Sequence, residues 1–243
     1  MTAARTVAIH QPQYWPWPRY LHKAMSSDVF VYLDTVQFSK NGLQNRNQIK
    51  TAAGASWLTL PVKQHLSQTI RETRIADIRA LDRHAKTVAA NYGRASGYRR
   101  WTNEVEGFFD RETDSLCDVA IASTEWMLGK LDAPGTRVRA SELDGLAGES
   151  SALIASICQA VKADAYLTGT GGLDYLDVEL LERVGCKAFV QQWQTFSYPQ
   201  LFPDVGFVAD LTALDLLLNC PDDAGDLIRA AGSWTPLAAR VNG

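Results

Sequence analysis

The sequence lacks the features that mark secreted and membrane-spanning proteins. No apolar run approaches the roughly 18 residues of a spanning helix, and no apolar stretch typical of a secretory signal follows the first residues. The four cysteines are dispersed without CxxC or CxxH spacing, which argues against a disulfide framework. We therefore expect a cytoplasmic protein with reduced thiols and no membrane partner.

Blocks of basic charge and clustered histidines are also missing. The formal net charge is −3, and no run of Lys and Arg offers a surface for nucleic acid or an anionic membrane. The four histidines form neither an H-E-x-x-H motif nor a cluster with metal-ligand spacing, and no G-x-S-x-G motif occurs. These absences disfavour a zinc enzyme and a serine hydrolase, and we expect no metal and no nucleic-acid partner.

What the sequence does contain is an alternation of short apolar runs with longer segments of helical period. This pattern is typical of a parallel sheet covered by helices, and 243 residues, 46% of them hydrophobic, can fill the core of one such domain. We predict a single α/β domain over residues 1–243, with a Rossmann-like layered fold, a mostly parallel sheet and helices on both faces. The predicted strands are Val7–His10, Val29–Asp34, Trp57–Val62, Val138–Ala140, Ala165–Thr168 and Ala188–Gln192. The predicted helices are Arg19–Met25, Ala85–Tyr92, Trp101–Phe109, Leu116–Leu131, Ser150–Val161, Leu176–Val184, Leu211–Leu218 and Ala224–Ala231.

The stretch after the third predicted strand is polar and has no clear period. Residues 63–82 are the best candidate for an insertion or a flap. A helical segment is expected to follow over residues 85–131, and Leu116–Leu131 has its clearest helical pattern.

Polar residues fall where the predicted strands end. His10 and Gln11 follow the first strand, Asp34 ends the second, a glycine-rich turn begins at Gly169, and Gln192 ends the last. Ligands of open α/β sheets bind in the crevice outside the carboxyl ends of the strands. The sequence therefore predicts a site at this edge of the sheet.

The segment after His10 is rich in proline and aromatic residues. Its prolines restrict the backbone and so hold neighbouring side chains in place, which favours a catalytic or ligand-binding His10 as much as a structural one. Tyr14, Trp15 and Trp17 fit two interpretations. They form either an aromatic wall of the pocket or a hydrophobic cover over the edge of the sheet.

The segment after Asp34 combines cations with amides. Lys40 and Arg46 can hold a phosphate or a carboxylate, and Gln37 and Asn45 add hydrogen-bonding groups. A solvated loop with hydrogen-bonded turns is the alternative. Asp34 itself can orient a base or bind an ammonium group.

The turn "TGTGGLDYLD" stands between a predicted strand and a predicted helix, where backbone N–H groups favour anions. It has neither the G-x-x-x-x-G-K-[ST] nor the G-x-G-x-x-G arrangement, so Gly169 and Gly171 indicate nucleotide binding only weakly, and tight-turn glycines explain them as well. Asp174 and Tyr175 behind them are an acid and a phenol that can act as a proton-transfer pair.

Five stretches, taken in chain order, carry a resemblance. They are "HQPQYWPWPRYLHKAMSSDVFVYLDTVQFSKNGLQNRNQIK", "WLTLPV", "AYLTGTGGLDYLD", "FVQQWQTFSYPQ" and "FVADLTALDLLLN". Together they resemble the WbqC-like protein family over nearly the whole chain. The chain departs from the family pattern at Leu43, where an aromatic residue is more usual, and at Pro18.

The resemblance implies a cytoplasmic bacterial protein of surface-polysaccharide or natural-product biosynthesis, with poorly defined chemistry, in pathways that often involve carrier proteins. The family's recurrent polar residues fall on His10, Gln11, Asp34, Gln37, Lys40, Asn45, Arg46, Gly169, Asp174, Tyr175 and Gln192.

Three functions follow as hypotheses. The first is acyl or aminoacyl transfer from a thioester to an amine, with His10 as base, Asp34 as its orienting group, and the Gly169 turn with Tyr175 as oxyanion stabilisers. Lys40 and Arg46 would then hold a phosphopantetheine-linked substrate on an acyl or peptidyl carrier protein, or a sugar phosphate. The alternatives are a nucleotide- or sugar-nucleotide-dependent transferase or ligase, and a non-catalytic sugar- or carrier-binding subunit.

Overall fold

The central element of the fold is a six-stranded sheet, seen in a computed structural model that describes residues 4–238, with the side chains of Asp174 and Tyr175 left out. The strands of the described residues are β1 (Thr6–His10), β2 (Val29–Tyr32), β3 (Arg46–Thr51), β4 (Gly54–Thr59), β5 (Val62–Lys63), β6 (Arg74–Ile75), β7 (Thr136–Arg139), β8 (Ala165–Thr168), β9 (Lys187–Trp193) and β10 (Gly232–Pro236). The order in the large sheet is β10-β9-β8-β1-β2-β7. All its pairs are parallel except β9 with β10.

Helices cover both faces of this sheet. They are α1 (Pro18–Met25), α2 (Ala80–Tyr92), α3 (Ser96–Phe109), α4 (Leu116–Lys130), α5 (Ser150–Ala160), α6 (Val178–Arg183), α7 (Ala213–Asn219) and α8 (Ala224–Ala231). Successive strand residues point to opposite faces, so Ala8 joins a core that contains α1, α4 and α7, whereas Val7 and Ile9 join a second core with α5 and α6. The predicted Rossmann-like layered α/β fold is confirmed.

Strand β4 lies in the region of the third predicted strand, but outside the central sheet. It pairs with β3 in a separate hairpin, and it leaves Trp57 46% exposed. Sequence periodicity identified an extended segment here, but which sheet a strand joins depends on long-range pairing. The prediction that this strand belongs to the main sheet is wrong.

Apart from the two-residue strand β6, strands β3 and β10 were missed in the sequence, each for a different reason. Strand β3 is polar, yet Asn47 and Lys50 are buried because Asn47 Nδ2 donates to the Trp15 carbonyl at 2.7 Å and Lys50 Nζ donates to the Gly206 carbonyl at 2.6 Å. Strand β10 begins with Gly and ends with Pro, which disfavour a strand everywhere except at an edge. It is the edge strand beside β9.

Residues 63–82, the predicted flap, contain the short β5–β6 hairpin and the start of α2. Leu66 at its tip is 96% exposed. The predicted helical segment at 85–131 begins earlier than expected, at Ala80, and consists of α2, α3 and α4. Whether residues 63–82 move as a flap stays a prediction.

Three features are absent from the described residues. Across these, no helix has the length and apolar character needed to cross a membrane. No group of three or more His, Cys, Asp or Glu side chains in the same part of the chain is placed to hold a metal ion. All four cysteines are buried and unpaired by disulfides.

Candidate functional site

A cavity of about 580 Å³ lies at the carboxyl ends of β1, β8 and β9. We call it the main cavity. Its lining residues are His10, Trp17, Arg19, Lys23, Gly169, Thr170, Gly171, Gln191, Gln192, Trp193, Thr195 and Asp210. Five residues predicted from the sequence, namely His10, Trp17, Gly169, Gly171 and Gln192, therefore meet in one place at the expected edge of the sheet.

His10 ends β1 and lines the main cavity as a neutral imidazole. Its Nδ1 is 3.0 Å from the Gln11 carbonyl oxygen, and since a carbonyl can only accept, Nδ1 carries the hydrogen and Nε2 keeps a free lone pair. The ring packs edge-on against Tyr20, with centroids 4.6 Å apart. Burial, with a smaller contribution from the charge of Lys23, lowers the pKa of His10 to about 3.

Lys23 is the principal residue of the cavity that sequence reasoning missed. It lies in the last turn of α1, is only 6% exposed, and within the described residues has neither a hydrogen bond nor an ion pair. Burial, followed by repulsion from Arg19, lowers the pKa of its ammonium group to about 7. A comparable share of neutral and charged amine is therefore present near neutral pH.

Arg19 adds a second cation to the same wall. It precedes Lys23 by four residues, which places both side chains on one face of α1. Its guanidinium lies 4.1 Å from the centre of the Trp17 ring. No salt bridge of Arg19 is found in the described residues, and Asp210, the one acidic lining residue among them, is exposed. The cavity therefore favours an anionic group.

Gln191 and Gln192, which follow one another in β9, differ in burial and in role. Gln191 is buried, and its Nε2 lies 2.9 Å from both the Arg19 carbonyl and His22 Nδ1, so it fastens α1 to the sheet. Gln192 is exposed and, like Gln191, lines the main cavity. The alternation of side chains along a strand separates the two roles.

The outer wall of the cavity comes from residues 194–211, which we call the outer segment. The buried carboxylate of Asp215 in α7 accepts hydrogen bonds from Tyr92 Oη at 2.6 Å, Tyr198 Oη at 2.8 Å and Gln200 Nε2 at 3.0 Å. Burial raises the pKa of Asp215, and these donors act against that rise. Asp215 therefore ties the outer segment to α7 and α2.

Comparison with known proteins identifies the family. The model of the WbqC-like protein family matches residues 11–227. The chain belongs to the WbqC-like protein family. It is also 27% identical over 228 residues, 93% of this chain and 98% of the relative, to "Uncharacterized protein Rv1507c" of Mycobacterium tuberculosis (strain ATCC 25618 / H37Rv). No solved structure matches the chain.

In this WbqC-like protein, Tyr14 and Trp15 do not line the main cavity. Both are fully buried. Tyr14 Oη lies 2.9 Å from His84 Nδ1. The Trp15 ring packs against that of Phe108, with the ring centroids 4.4 Å apart. The aromatic-wall interpretation therefore fails for these two residues, because the proline-rich segment turns them into the core, and it fits Trp17 alone.

Asp34 does not contact His10. Its Oδ1 accepts from the Ser141 backbone N–H at 3.0 Å, and its Oδ2 accepts from Ser141 Oγ at 2.6 Å. Asp34 lies two residues beyond Tyr32, the register partner of His10, and so reaches the turn after β7. Its observed partners make it a structural tie, and the expected orienting contact with His10 is not formed.

The other polar residues of this region also fall outside the main cavity. Gln11 Oε1 accepts from Gln44 Nε2 at 2.7 Å, and Asn45 Nδ2 donates to the Leu60 carbonyl at 2.8 Å. Arg46 lies 4.5 Å from the centre of the Trp57 ring. These contacts are typical of structural positions. They differ from the ligand-holding positions predicted for these residues.

Lys40 and Gln37 are exposed. Gln37 lines a second cavity of about 800 Å³, together with Arg71 and Ser141. Neither of the two cations predicted to hold an anion, Lys40 and Arg46, lines the main cavity, whereas Arg19 and Lys23 do.

The side chains of Asp174 and Tyr175 lie outside the described residues. Their backbone belongs to a 3₁₀ turn over Thr170–Tyr175, which follows β8. The predicted proton-transfer pair stays a prediction.

Proposed function

We propose that this WbqC-like protein is a biosynthetic enzyme that transfers an acyl or aminoacyl group from a thioester to an amine. The reaction takes place in the main cavity and serves natural-product or surface-glycan biosynthesis. The observation that supports it best is Lys23, a buried amine without a partner in the described residues, beside a neutral His10. Such a pair of groups suits the removal of a proton from an amine near neutral pH.

The reaction forms one bond and breaks another. The nitrogen of the acceptor amine attacks the thioester carbonyl carbon, the new C–N bond makes the amide, and the C–S bond breaks to release a thiol. The proton lost by the amine passes to Lys23 Nζ and then to the leaving sulfur. No covalent enzyme intermediate is needed.

Lys23 takes the role of base that the sequence suggested for His10. A proton acceptor works best when its pKa lies near the working pH, and that of Lys23 is about 7 whereas that of His10 is about 3. His10 Nε2 instead accepts a hydrogen bond from the attacking amine and aligns it.

The glycine turn supplies the other half of the site. Backbone at Gly169 and Gly171 lines the cavity, and the absence of side chains lets the thioester carbonyl approach N–H groups that stabilise a developing oxyanion. The amide of Gln192 adds a further donor. Arg19 holds the phosphate of a phosphopantetheine arm or a carboxylate of the substrate, and an acyl or peptidyl carrier protein is the proposed partner.

The test uses the whole protein with a panel of synthetic acyl and aminoacyl thioesters and primary amines, without ATP. Amide product is followed by mass spectrometry and thiol release by absorbance. We expect turnover with some members of the panel, and a loss of at least about a hundredfold in Lys23→Met. Lys187→Met, which changes an exposed lysine at the start of β9, is the matched control. A broad panel without product, or full activity in Lys23→Met, contradicts the proposal.

One observation favours a nucleotide-dependent transferase or ligase as a second candidate. Arg19 and Lys23 face a glycine-rich turn that follows a strand, a setting that suits phosphates. This function requires saturable binding of ATP or a sugar nucleotide that is lost in Arg19→Gln. Ligand binding that survives in Lys23→Met, in a protein inactive with every panel member, would instead indicate a non-catalytic binding subunit.

A further inference from the structure

We propose that Lys23 also forms an imine with α-oxo acids, whose carboxylate group is held by Arg19. This activity does not depend on acyl transfer. It requires a lysine amine open to the cavity, a cation next to it and space for a small ligand. All three are present in the main cavity.

The amine of Lys23 is open to attack from the cavity side. It lies beside Gly169, where an added Cβ would be 3.4 Å from Nζ, so the glycine leaves room next to the amine. On another side, Nζ lies over the face of the Tyr20 ring, 6.0 Å from its centre. A desolvated lysine next to another cation is the usual arrangement of lysines that form Schiff bases.

Arg19 is placed to select the carbonyl compound. The Cζ atom of Arg19 lies over the Trp17 ring, 4.1 Å from its centre, and the guanidinium N–H groups can bind a carboxylate in bidentate fashion. An α-oxo acid has its electrophilic carbon bonded directly to a carboxylate carbon. Arg19 and Lys23 lie four residues apart on one face of α1. Arg19 therefore binds the carboxylate of the ligand while Lys23 reacts with the neighbouring carbonyl carbon.

The covalent step balances without any added oxidant or reductant. Nζ adds to the carbonyl carbon of the oxo acid to give a carbinolamine, whose C–O bond then breaks. Both protons of the neutral amine leave in the released water, and a C=N bond remains. His10 Nε2 accepts a hydrogen bond from the carbinolamine hydroxyl during this step.

The experiment traps the imine in the whole protein. The protein is incubated with pyruvate at neutral pH, reduced with sodium borohydride, and analysed by intact mass and peptide mapping. We expect a single reduced adduct at Lys23. Lys23→Arg, which keeps the positive charge, abolishes it, and Lys187→Arg leaves it unchanged.

A second pair of measurements tests the role of Arg19. We expect Arg19→Gln to raise the pyruvate concentration for half-maximal trapping about tenfold or more, since a charge-assisted bidentate contact is lost. Trapping with acetaldehyde, which has no carboxylate, should change far less in the same variant, because it loses only the effect of the Arg19 charge on the Lys23 amine. This comparison also shows that Arg19→Gln still folds around a reactive Lys23.

The proposal is overturned if the wild-type protein gives no adduct at Lys23, or gives adducts on surface lysines that persist equally in Lys23→Arg. Equal pyruvate dependence in wild type and Arg19→Gln overturns the assignment of the carboxylate partner. An adduct at Lys23 without amide formation from any thioester would refute acyl transfer and leave the imine site intact. Amide formation without an adduct at Lys23 would refute the imine site and leave acyl transfer intact.

Discussion

At the scale of single residues, Lys23 lowers the stability of the fold in which it is placed. Its pKa is about 7 in the folded protein and 10.5 ordinarily. Between these values the unfolded chain binds a proton that the folded chain does not, so the free energy of unfolding rises with pH across this window. A buried amine without a partner is tolerated where function requires it.

We therefore predict that Lys23→Met is more stable than the wild type while it is inactive. The gain at pH 7 should be about 2–4 kcal/mol in urea unfolding, because burial of the charged form is no longer penalised. The gain should shrink toward pH 10, where the unfolded lysine also begins to lose its proton. A variant less stable than the wild type at both pH values would contradict the burial of Lys23.

The sequence predicted part of this site and missed the rest for a physical reason. His10, Gly169 and Gln192 were identified because they end strands of one sheet. Lys23 follows His22 in the last turn of a short amphipathic helix, where a lysine is ordinarily solvated. Its burial depends on the turn at Gly169, which packs beside it. The two residues are far apart in the sequence, so no local sequence pattern indicates their contact.

At the scale of elements, the contact between α3 and α7 allows a matched test on one helix. A Cβ at Gly97 would overlap the Leu217 carbonyl oxygen and lie 2.9 Å from Leu218 Cα, whereas a Cβ at Gly107 meets nothing within 4 Å. We predict that Gly97→Ala lowers the free energy of unfolding by about 1–3 kcal/mol. Gly107→Ala should raise it by up to about 1 kcal/mol through helix propensity. Equal effects would contradict the close packing of α3 on α7.

The outer segment is the second element whose attachment can be measured. Tyr198→Phe removes one of the donors to the buried Asp215 and keeps the ring, at an expected cost of about 1–3 kcal/mol. Backbone amides of residues 194–211 should then exchange faster with solvent. The control is Tyr98→Phe, which removes a 3.0 Å hydrogen bond to Glu106 inside α3 and should leave this exchange unchanged. Unchanged exchange in Tyr198→Phe would mean that Asp215 does not hold the segment.

Elements with strong local signals were predicted well. The helices from α1 to α8 follow apolar periodicity, and each predicted helix overlaps an observed one. Strand β3 was missed because Asn47 and Lys50 are buried by partners far away in sequence. Whether such a segment forms a strand depends more on its pairing with other segments than on its composition.

At the scale of the whole molecule, buried histidines set the response to acid. Burial lowers the pKa of His10 to about 3 and that of His84 to about 4, from an ordinary 6.5, and it also lowers the pKa of His22. As the pH drops, each of these histidines binds a proton at a higher pH in the unfolded chain than in the folded chain. The free energy of unfolding therefore falls as the pH drops below 6.5. The raised pKa of Asp215 acts in the opposite direction.

We predict a loss of up to about 1.4 kcal/mol per pH unit for His10 and for His84 between pH 6 and 4, with a further loss from His22, measured by urea unfolding. His84→Gln should make the free energy of unfolding depend less steeply on pH, because the proton that His84 binds in the unfolded chain no longer contributes. Stability that is flat over this range, or that rises toward acid, would show that the histidines titrate normally.

The family, the fold class and the edge of the sheet that carries the main cavity could all be inferred from the sequence. Which residues meet in the cavity could not. Tyr14, Trp15 and Asp34 share the polar or aromatic character of a site but are used in the core and in a turn. Such assignments depend on the paths of loops, which strand order alone does not determine.

The most direct test of this account is the titration of Lys23 itself. Competitive labelling with trace acetic anhydride, read by peptide mass spectrometry across a pH series, gives the apparent pKa of each lysine without a known substrate. We expect Lys23 to titrate near pH 7 and to react at neutral pH ahead of Lys187. An apparent pKa near the ordinary 10.5, or a Lys23 inaccessible to the reagent at every pH, would contradict a reactive amine in the main cavity.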